Sequence, residues 1–322
     1  MKLYIDKENI ITFMSNRSEN IELFEESLRL IKKNIEVHYN FPKSAIQGNT
    51  ILSAWFGRMK GDGCKFKDSF YPDAVIKPER PIKSNFYINY DFDDRSSIYL
   101  LNIDKNKCNI IRDKRSILVG CPGEEMEIFK TMLEISDRPD MMTDIESWTH
   151  YCPKVPLTDV IISDNHYFKN KEVYEKNDNE LIRALAAIPK DSISVVIITK
   201  EGEVDTHPRQ GKPIDLKEEC NNIKNLISSV SGLSKKKCSV TIITTNRTHS
   251  RHIITNYYTI SPTSCIHLKE NGLKEDADIF ISPHTESKEL NKTRRLIKLF
   301  QNIAKSPVRI YGDKKSIYID FE

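Results

Sequence analysis

The sequence predicts an α/β protein: a mixed, largely parallel sheet flanked by helices in the C-terminal half, preceded by an α+β N-terminal domain. At 322 residues the chain exceeds the usual length of one domain, so we expect two. Three continuous apolar runs, "TDVIISD", "ISVVIITK" and "CSVTIITT", are typical of strands buried on both faces, and helical patterns separate them. Prolines at 139, 153 and 156 interrupt the pattern, which predicts domains of residues 1–145 and 150–322.

The N-terminal half mixes short strand and helix patterns. In order, we expect a strand in "KLYI", a helix in "SENIELFEESLRLIKKN", a strand in "IEVHYNF" and one helix in "SAIQGNTILSAWFGRM". Residues 60–84 are rich in Gly, Pro and Lys, which indicates a long loop. Strand candidates follow in "NFYINYDF", "SSIYLLNI" and "SILVGC", and then a helix in "GEEMEIFKTMLEIS". No feature of this half assigns it a role.

The C-terminal half begins with strict alternation. Helices "NKEVYEKNDNELIRALAAI" and "DLKEECNNIKNLISSVSGL" separate the three apolar strands, and the second helix is expected to end at Gly232. The alternation then stops. We expect β segments in "RHIITNYYTI" and "SCIHLKEN", joined by "SPTS", and another in "ADIFISPH". A long helix, "TESKELNKTRRLIKLFQNIAKS", and a hairpin of "VRIYG" with "SIYIDF" close the chain.

Composition excludes several classes of protein. The net charge is only +3, from 49 basic and 46 acidic residues, so nucleic acid must be bound by a local patch. Seven scattered cysteines without a CxxC motif predict reduced thiols in the cytoplasm. The first residues lack the pattern of a signal peptide, and no apolar stretch is long enough for a membrane helix. Because common nucleotide, hydrolase and metal motifs are missing, we expect neither a cofactor nor a metal.

The stretch "TTNRTHSRHIITNYYTISPTS" holds the candidate site. If a strand begins near His249, alternation places His249 and Arg251 on the same side. They would then lie beyond the carboxyl ends of the parallel strands, where ligands of such sheets bind. An imidazole can attack phosphorus or transfer protons, and a guanidinium can bind two phosphate oxygens. The pair therefore predicts phosphate chemistry; the alternative is a turn histidine beside a surface arginine.

The order of elements together with this motif resembles one half of the phospholipase D-like superfamily. That family carries His-x-Lys-x4-Asp, followed by Gly-Ser or Gly-Thr. His249, Arg251 and Asn256 occupy the three motif positions here, and Ser264 lies near the Gly-Ser step. The resemblance covers about residues 157–305 and is closest to the single-copy branch with a His-x-Arg motif. It implies His249, Arg251 and Asn256 as the catalytic set, without a metal.

Two departures from the family motif shape the functional hypotheses. Arg in place of Lys preserves phosphate binding, whereas Asn in place of Asp removes a charge that supports the family's fold and histidines. Active members combine two motifs, so catalysis from this single motif would require a homodimer.

The leading hypothesis is a catalytically degenerate protein that binds phosphate or nucleic acid within a larger bacterial assembly with partner proteins, in a setting such as antiviral defence. The alternatives are a homodimeric nuclease or phosphodiesterase with His249 as nucleophile, and an adaptor that binds protein or, less expectedly, membrane.

Further polar residues are candidates for phosphate contact. Asp164 and His166 follow the first strand of the C-terminal half and share its edge with the motif, although an Asx turn is the alternative role for Asp164. Tyr257 and Tyr258 are candidates for base stacking. The proposed phosphate-contacting residues also include Arg247, His252, Ser264, Lys292, Arg294 and Arg295, for which a solvated surface is the alternative.

Overall fold

The structure is a computed structural model that describes residues 1–69, 71, 76, 94–115, 117–136, 148–168, 179–187, 191–200, 214–247, 250–263, 279–316 and 318–321. The chain divides into two compact units. The first unit comprises Met1–Lys83, Phe92–Asp137 and Pro283–Asn291, and the second comprises Ser84–Asp91, Arg138–Ser282 and Lys292–Glu322. One sheet is parallel and the other mixed, and helices accompany both, so the predicted α/β class is confirmed.

The first unit contains a parallel sheet of described strands β1 (Lys2–Ile5), β2 (Glu36–Tyr39), β3 (Lys65–Asp68), β4 (Ile98–Leu100) and β5 (Leu118–Gly120). Their order is β3-β2-β1-β4-β5. The helices are α1 (Lys7–Ser15), α2 (Ile21–Asn34), α3 (Lys43–Gln47), α4 (Thr50–Gly61), α5 (Lys105–Arg115) and α6 (Glu125–Ser136). The strand order changes direction between β1 and β4, as in doubly wound sheets.

The sequence predicted an α+β domain, but the described strands of this sheet all pair in parallel. Two helices, α1 and α5, and one strand, β3, were not predicted. Asp6 precedes α1, but its carboxylate accepts the backbone N–H of Asn102 at 2.7 Å and does not cap the helix. Helix α5 buries only Cys108 and Ile111, so its apolar pattern is weak. Strand β3 lies at the sheet edge and is largely exposed, with only Phe66 half-buried.

A predicted single helix in this unit is two helices. The side chain of Asn49 accepts the backbone N–H of Leu52 at 3.1 Å, and this cap starts α4 directly after α3. A local hydrogen bond therefore interrupts a pattern that was continuous in apolar spacing. The predicted strand "NFYINYDF" lies outside the described residues.

The second unit is built on the strands β6 (Asp159–Ser163), β7 (Ile193–Thr199), β8 (Cys238–Thr244), β9 (His252–Ile254), β10 (Tyr258–Pro262), β11 (Ile279–Pro283) and β12 (Arg309–Gly312). The order is β11-β10-β9-β6-β7-β8-β12. Strands β6, β7 and β8 are parallel and almost completely buried, which confirms the three predicted buried strands.

The second unit also contains the helices α7 (Trp148–Tyr151), α8 (Asn179–Ala186) and α9 (Leu216–Ser231), and most of α10 (Ser287–Ala304). Helix α9 ends at Gly232 with φ +71°, as predicted. Within the described part of the chain, no helix combines the length and apolar character needed to cross a bilayer.

One predicted β segment and one predicted hairpin of the second unit differ from the structure. The segment "RHIITNYYTI" is itself a hairpin of β9 and β10, because the Thr255 hydroxyl accepts the N–H of Tyr257 (3.3 Å) and of Tyr258 (3.2 Å) and thereby closes a turn. Ser261 and Pro262 of "SPTS" belong to β10 itself. At the C-terminus, β12 pairs antiparallel with β8, and the described residues Tyr318–Asp320 form no strand. The segment "SCIHLKEN" lies outside the described residues.

Candidate phosphate-binding site

The carboxyl ends of β6, β7 and β8 meet at one edge of the second unit's sheet. The backbone N–H of Asp164 donates to the carbonyl of Ile198 at 3.0 Å. Strand β9 pairs antiparallel with β6, and His252 lies opposite Ser163. Residues immediately before β9 therefore lie at this edge, where the sequence predicted the site.

Asp164 and Arg251 come together at this edge. The Asp164 side chain is fully buried, and its Oδ1 accepts the backbone N–H of His166 at 2.8 Å, which forms an Asx turn. The same Oδ1 lies 3.9 Å from Nε of Arg251. Asp164 therefore forms the Asx turn that was the alternative to phosphate contact, and it is also the acidic neighbour of Arg251. His166 is half-buried in that turn.

The guanidinium of Arg251 lacks a hydrogen-bond acceptor in the described part of the chain. Its side chain is 30% exposed, yet the Nε atom is buried and has no hydrogen-bond partner there. The 3.9 Å separation from Asp164 is beyond hydrogen-bonding distance. A buried donor without an acceptor costs about 1–3 kcal/mol, and more when it belongs to a charged group. An anionic ligand would supply the acceptors that Arg251 lacks.

Serine hydroxyls contact the residues on either side of Arg251. Ser163 Oγ donates to the carbonyl of Ser250 at 2.9 Å and lies 3.2 Å from the Ser250 hydroxyl. His252 Nδ1 lies 2.9 Å from Ser261 Oγ on the neighbouring strand β10. These serines were not predicted, because only the pairing of β9 with β6 and β10 brings them to the motif.

His252 is neutral at physiological pH. Its ring is half-buried, and burial, followed by the nearby charge of Lys292, lowers its pKa to about 4. His252 therefore contributes hydrogen bonds to this edge but no positive charge. The influence of Lys292 also shows that α10 brings a cation to β9.

Asn256 lies at the opposite edge of the sheet from Arg251. Its side chain is fully buried; Oδ1 accepts the backbone N–H of Thr158 at 2.9 Å, and Nδ2 donates to Thr158 Oγ1 at 2.7 Å. Asn256 therefore ties the β9–β10 turn to the start of β6. Tyr257 and Tyr258 are also fully buried, so their rings are not available for stacking on bases.

The predicted basic residues differ in exposure. Arg247, Lys292 and Arg295 are exposed, and Arg294 is half-buried. The structure thus brings Asp164, Arg251 and His252 to one edge, with Lys292 close to His252. His249 and Ser264 lie outside the described residues.

Neither a scan against protein-family models nor a search of curated proteins finds a match for this chain.

Proposed function

We propose that the second unit binds the phosphate groups of nucleic acid through Arg251, as a catalytically degenerate phospholipase D-like domain. The observation that carries the proposal is a half-buried guanidinium at the carboxyl edge of a parallel sheet, without a described hydrogen-bond acceptor. Arginine presents five donors in a planar fork that matches phosphate oxygens. The partly desolvated setting strengthens such a contact relative to one in water.

Asp164 places a negative charge beside Arg251 without accepting a hydrogen bond from it. At 3.9 Å the carboxylate attracts Nε without forming a hydrogen bond, so the donors of the fork stay available to a ligand. The bonds between Ser163 and Ser250 hold the backbone that precedes Arg251. The arginine is therefore positioned before a ligand arrives, which lowers the entropic cost of binding.

Nucleic acid is the proposed ligand because exposed cations surround this motif in sequence and along α10. Arg247, Lys292 and Arg295 are exposed and can contact successive phosphates. The fully buried, structural setting of Asn256 agrees with the role in fold support that the resemblance implies for its position. The resemblance alone supports membership of a larger bacterial assembly with a role in defence, and both stay predictions.

The test measures binding of a fluorescein-labelled single-stranded oligonucleotide by fluorescence anisotropy over a range of salt concentrations. We expect Arg251→Ala to weaken binding about tenfold and to lower the slope of log affinity against log salt by about 0.7, the value for one single-strand phosphate contact. Arg251→Lys should keep the slope and lose part of the affinity, because it retains the charge without the fork. Arg183→Ala is the matched control, since Arg183 is an exposed arginine on α8.

An affinity and a slope that Arg251→Ala leaves unchanged would refute the proposal. EDTA-resistant cleavage of the oligonucleotide that His249→Ala abolishes would instead support the homodimeric phosphodiesterase. Flotation with phosphatidylserine vesicles, in the absence of oligonucleotide binding, would favour the adaptor hypothesis.

A further inference from the structure

Three metal-ligating side chains meet at the carboxyl end of β5 in the first unit. Cys108 lies in α5, Cys121 directly follows β5, and Glu124 directly precedes α6. The two Sγ atoms and a carboxylate oxygen lie within 4.8 Å of one another, and Cys108 Sγ is 3.8 Å from Glu124 Oε2. Both cysteines are buried, while the Glu124 side chain is 14% exposed. The cluster is thus closed on the protein side and reaches solvent through the glutamate.

The separations fit tetrahedral zinc after a small contraction. Zinc bonds of about 2.3 Å to sulfur and about 2.0 Å to oxygen place tetrahedral S and O ligands about 3.5 Å apart and two S ligands about 3.8 Å apart. Because the three ligand atoms lie within 4.8 Å of one another, no two of them need to approach by more than about 1.3 Å to reach these distances. Rotation about the cysteine and glutamate side-chain bonds covers such distances without a change of backbone.

A tight turn already holds two of the three ligands together. The backbone N–H of Glu124 donates to the carbonyl of Cys121 at 3.0 Å, and the N–H of Cys121 donates to Glu124 Oε2 at 3.2 Å. Gly123 within the turn has φ +99°, a conformation that glycine adopts without strain. Cys121 and Glu124 are therefore held together before any ion binds. The third ligand, Cys108, comes from helix α5.

The charges of the cluster balance when one divalent ion is added. Two thiolates and a carboxylate carry three negative charges, so a divalent ion leaves one negative charge. Arg112 supplies the compensating positive charge: its Nη2 donates to Glu124 Oε2 at 2.8 Å and to the carbonyl of Val119 at 2.8 Å. The same Nη2 also donates to Cys108 Sγ at 3.7 Å, so the arginine contacts two of the three ligands.

We propose that Cys108, Cys121 and Glu124 bind one zinc ion, with water as the fourth ligand. Thiolates select zinc over the hard cations magnesium and calcium, and a carboxylate ligand disfavours copper(I). Three protein ligands with one open position is an arrangement found in zinc sites that bind further molecules. Without the ion, Cys108 donates its thiol to the carbonyl of Val119 at 3.7 Å, so binding displaces the thiol protons.

The experiment uses the untagged full-length chain, stripped with EDTA and kept reduced with a phosphine. Titration with Co²⁺ should produce a thiolate-to-cobalt charge-transfer band in the near ultraviolet, and Zn²⁺ should remove it. Zinc retained after gel filtration should amount to about one ion per chain by mass spectrometry. Circular dichroism of each variant verifies the fold.

We expect Cys108→Ser and Cys121→Ser each to abolish the band, and Glu124→Gln to weaken Co²⁺ binding about tenfold or more. Cys64→Ser is the matched control, because Cys64 is also buried in the first unit and lies outside the cluster; it should leave the band unchanged. The absence of a band in the wild-type chain, or a band that persists in both cluster cysteine variants, would overturn the proposal. Arg251→Ala should bind Co²⁺ as wild type does, so this test is independent of phosphate binding.

Discussion

Replacing Asn256 by Ala tests whether this motif residue supports the fold. The substitution removes the acceptor of the Thr158 backbone N–H and the donor to the Thr158 hydroxyl. Both residues are buried, Asn256 completely and Thr158 to 3% exposure, so water does not readily replace the lost bonds. The turn between β9 and β10 would lose its attachment to β6.

The expected loss of stability follows from the two bonds. Each contributes about 1 kcal/mol, and a buried N–H left without an acceptor costs about 1–3 kcal/mol. We expect Asn256→Ala to lower the free energy of unfolding of the second unit by about 3 kcal/mol. Thr158→Ala should cost less, about 2 kcal/mol, because the backbone N–H keeps its acceptor and only Nδ2 of Asn256 loses the hydroxyl that accepts from it.

Urea unfolding measures this loss through tryptophan fluorescence. The chain has two tryptophans, Trp55 in the first unit and the fully buried Trp148 in the second. In a Trp55→Phe background, Trp148 reports on the second unit alone. With a slope of about 2 kcal/mol per molar urea, the midpoint should fall by about 1.5 M. Asn246→Ala, at an exposed position after β8, is the control.

Two results would contradict this account of Asn256. One is an unchanged urea midpoint in Asn256→Ala. The other is a folded Asn256→Ala protein whose affinity for the oligonucleotide falls as far as that of Arg251→Ala, since Asn256 lies at the opposite edge of the sheet.

Three further predictions concern the second unit. Gly312 has φ +90°, and a Cβ there would lie 2.2 Å from the carbonyl oxygen of Val240. We expect Gly312→Ala to lower the free energy of unfolding by about 2 kcal/mol or more in the same urea assay. A urea midpoint equal to that of the wild type would refute the clash. The pKa of His252 is about 4 in the folded chain and about 6.5 in the unfolded chain, so the unfolded chain binds a proton more readily. The stability that depends on the neutral ring is therefore fully present above about pH 6.5 and is lost as the pH falls towards 4. The loss should be at most about 3 kcal/mol, reduced by solvent screening of the half-buried ring, and His252→Gln should flatten the profile of urea midpoint against pH. Asp215 accepts two backbone N–H groups at the start of α9, so Asp215→Ala should cost about 1 kcal/mol, and an unchanged thermal midpoint would argue against the cap.

The sequence by itself determined the features that depend on local chemistry. The Val- and Ile-rich runs became β6, β7 and β8 because only a strand covered on both faces buries every residue of such a run. Helix α9 begins after Asp215 and ends at Gly232 because cap and stop are short-range interactions. Arg251 lies at the carboxyl edge because it follows the last of these parallel strands by only a few residues.

Only the tertiary structure decided which of the candidate residues meet. Arg251 and Asn256 are five positions apart in one motif, but an extended chain rises about 3.3 Å per residue, which carries them to opposite edges of the sheet. Cys108 and Cys121 have no motif spacing, and they meet because α5 packs beside the end of β5. Strand pairing and helix packing join residues that are distant in sequence, so these contacts leave no periodic signal in the sequence.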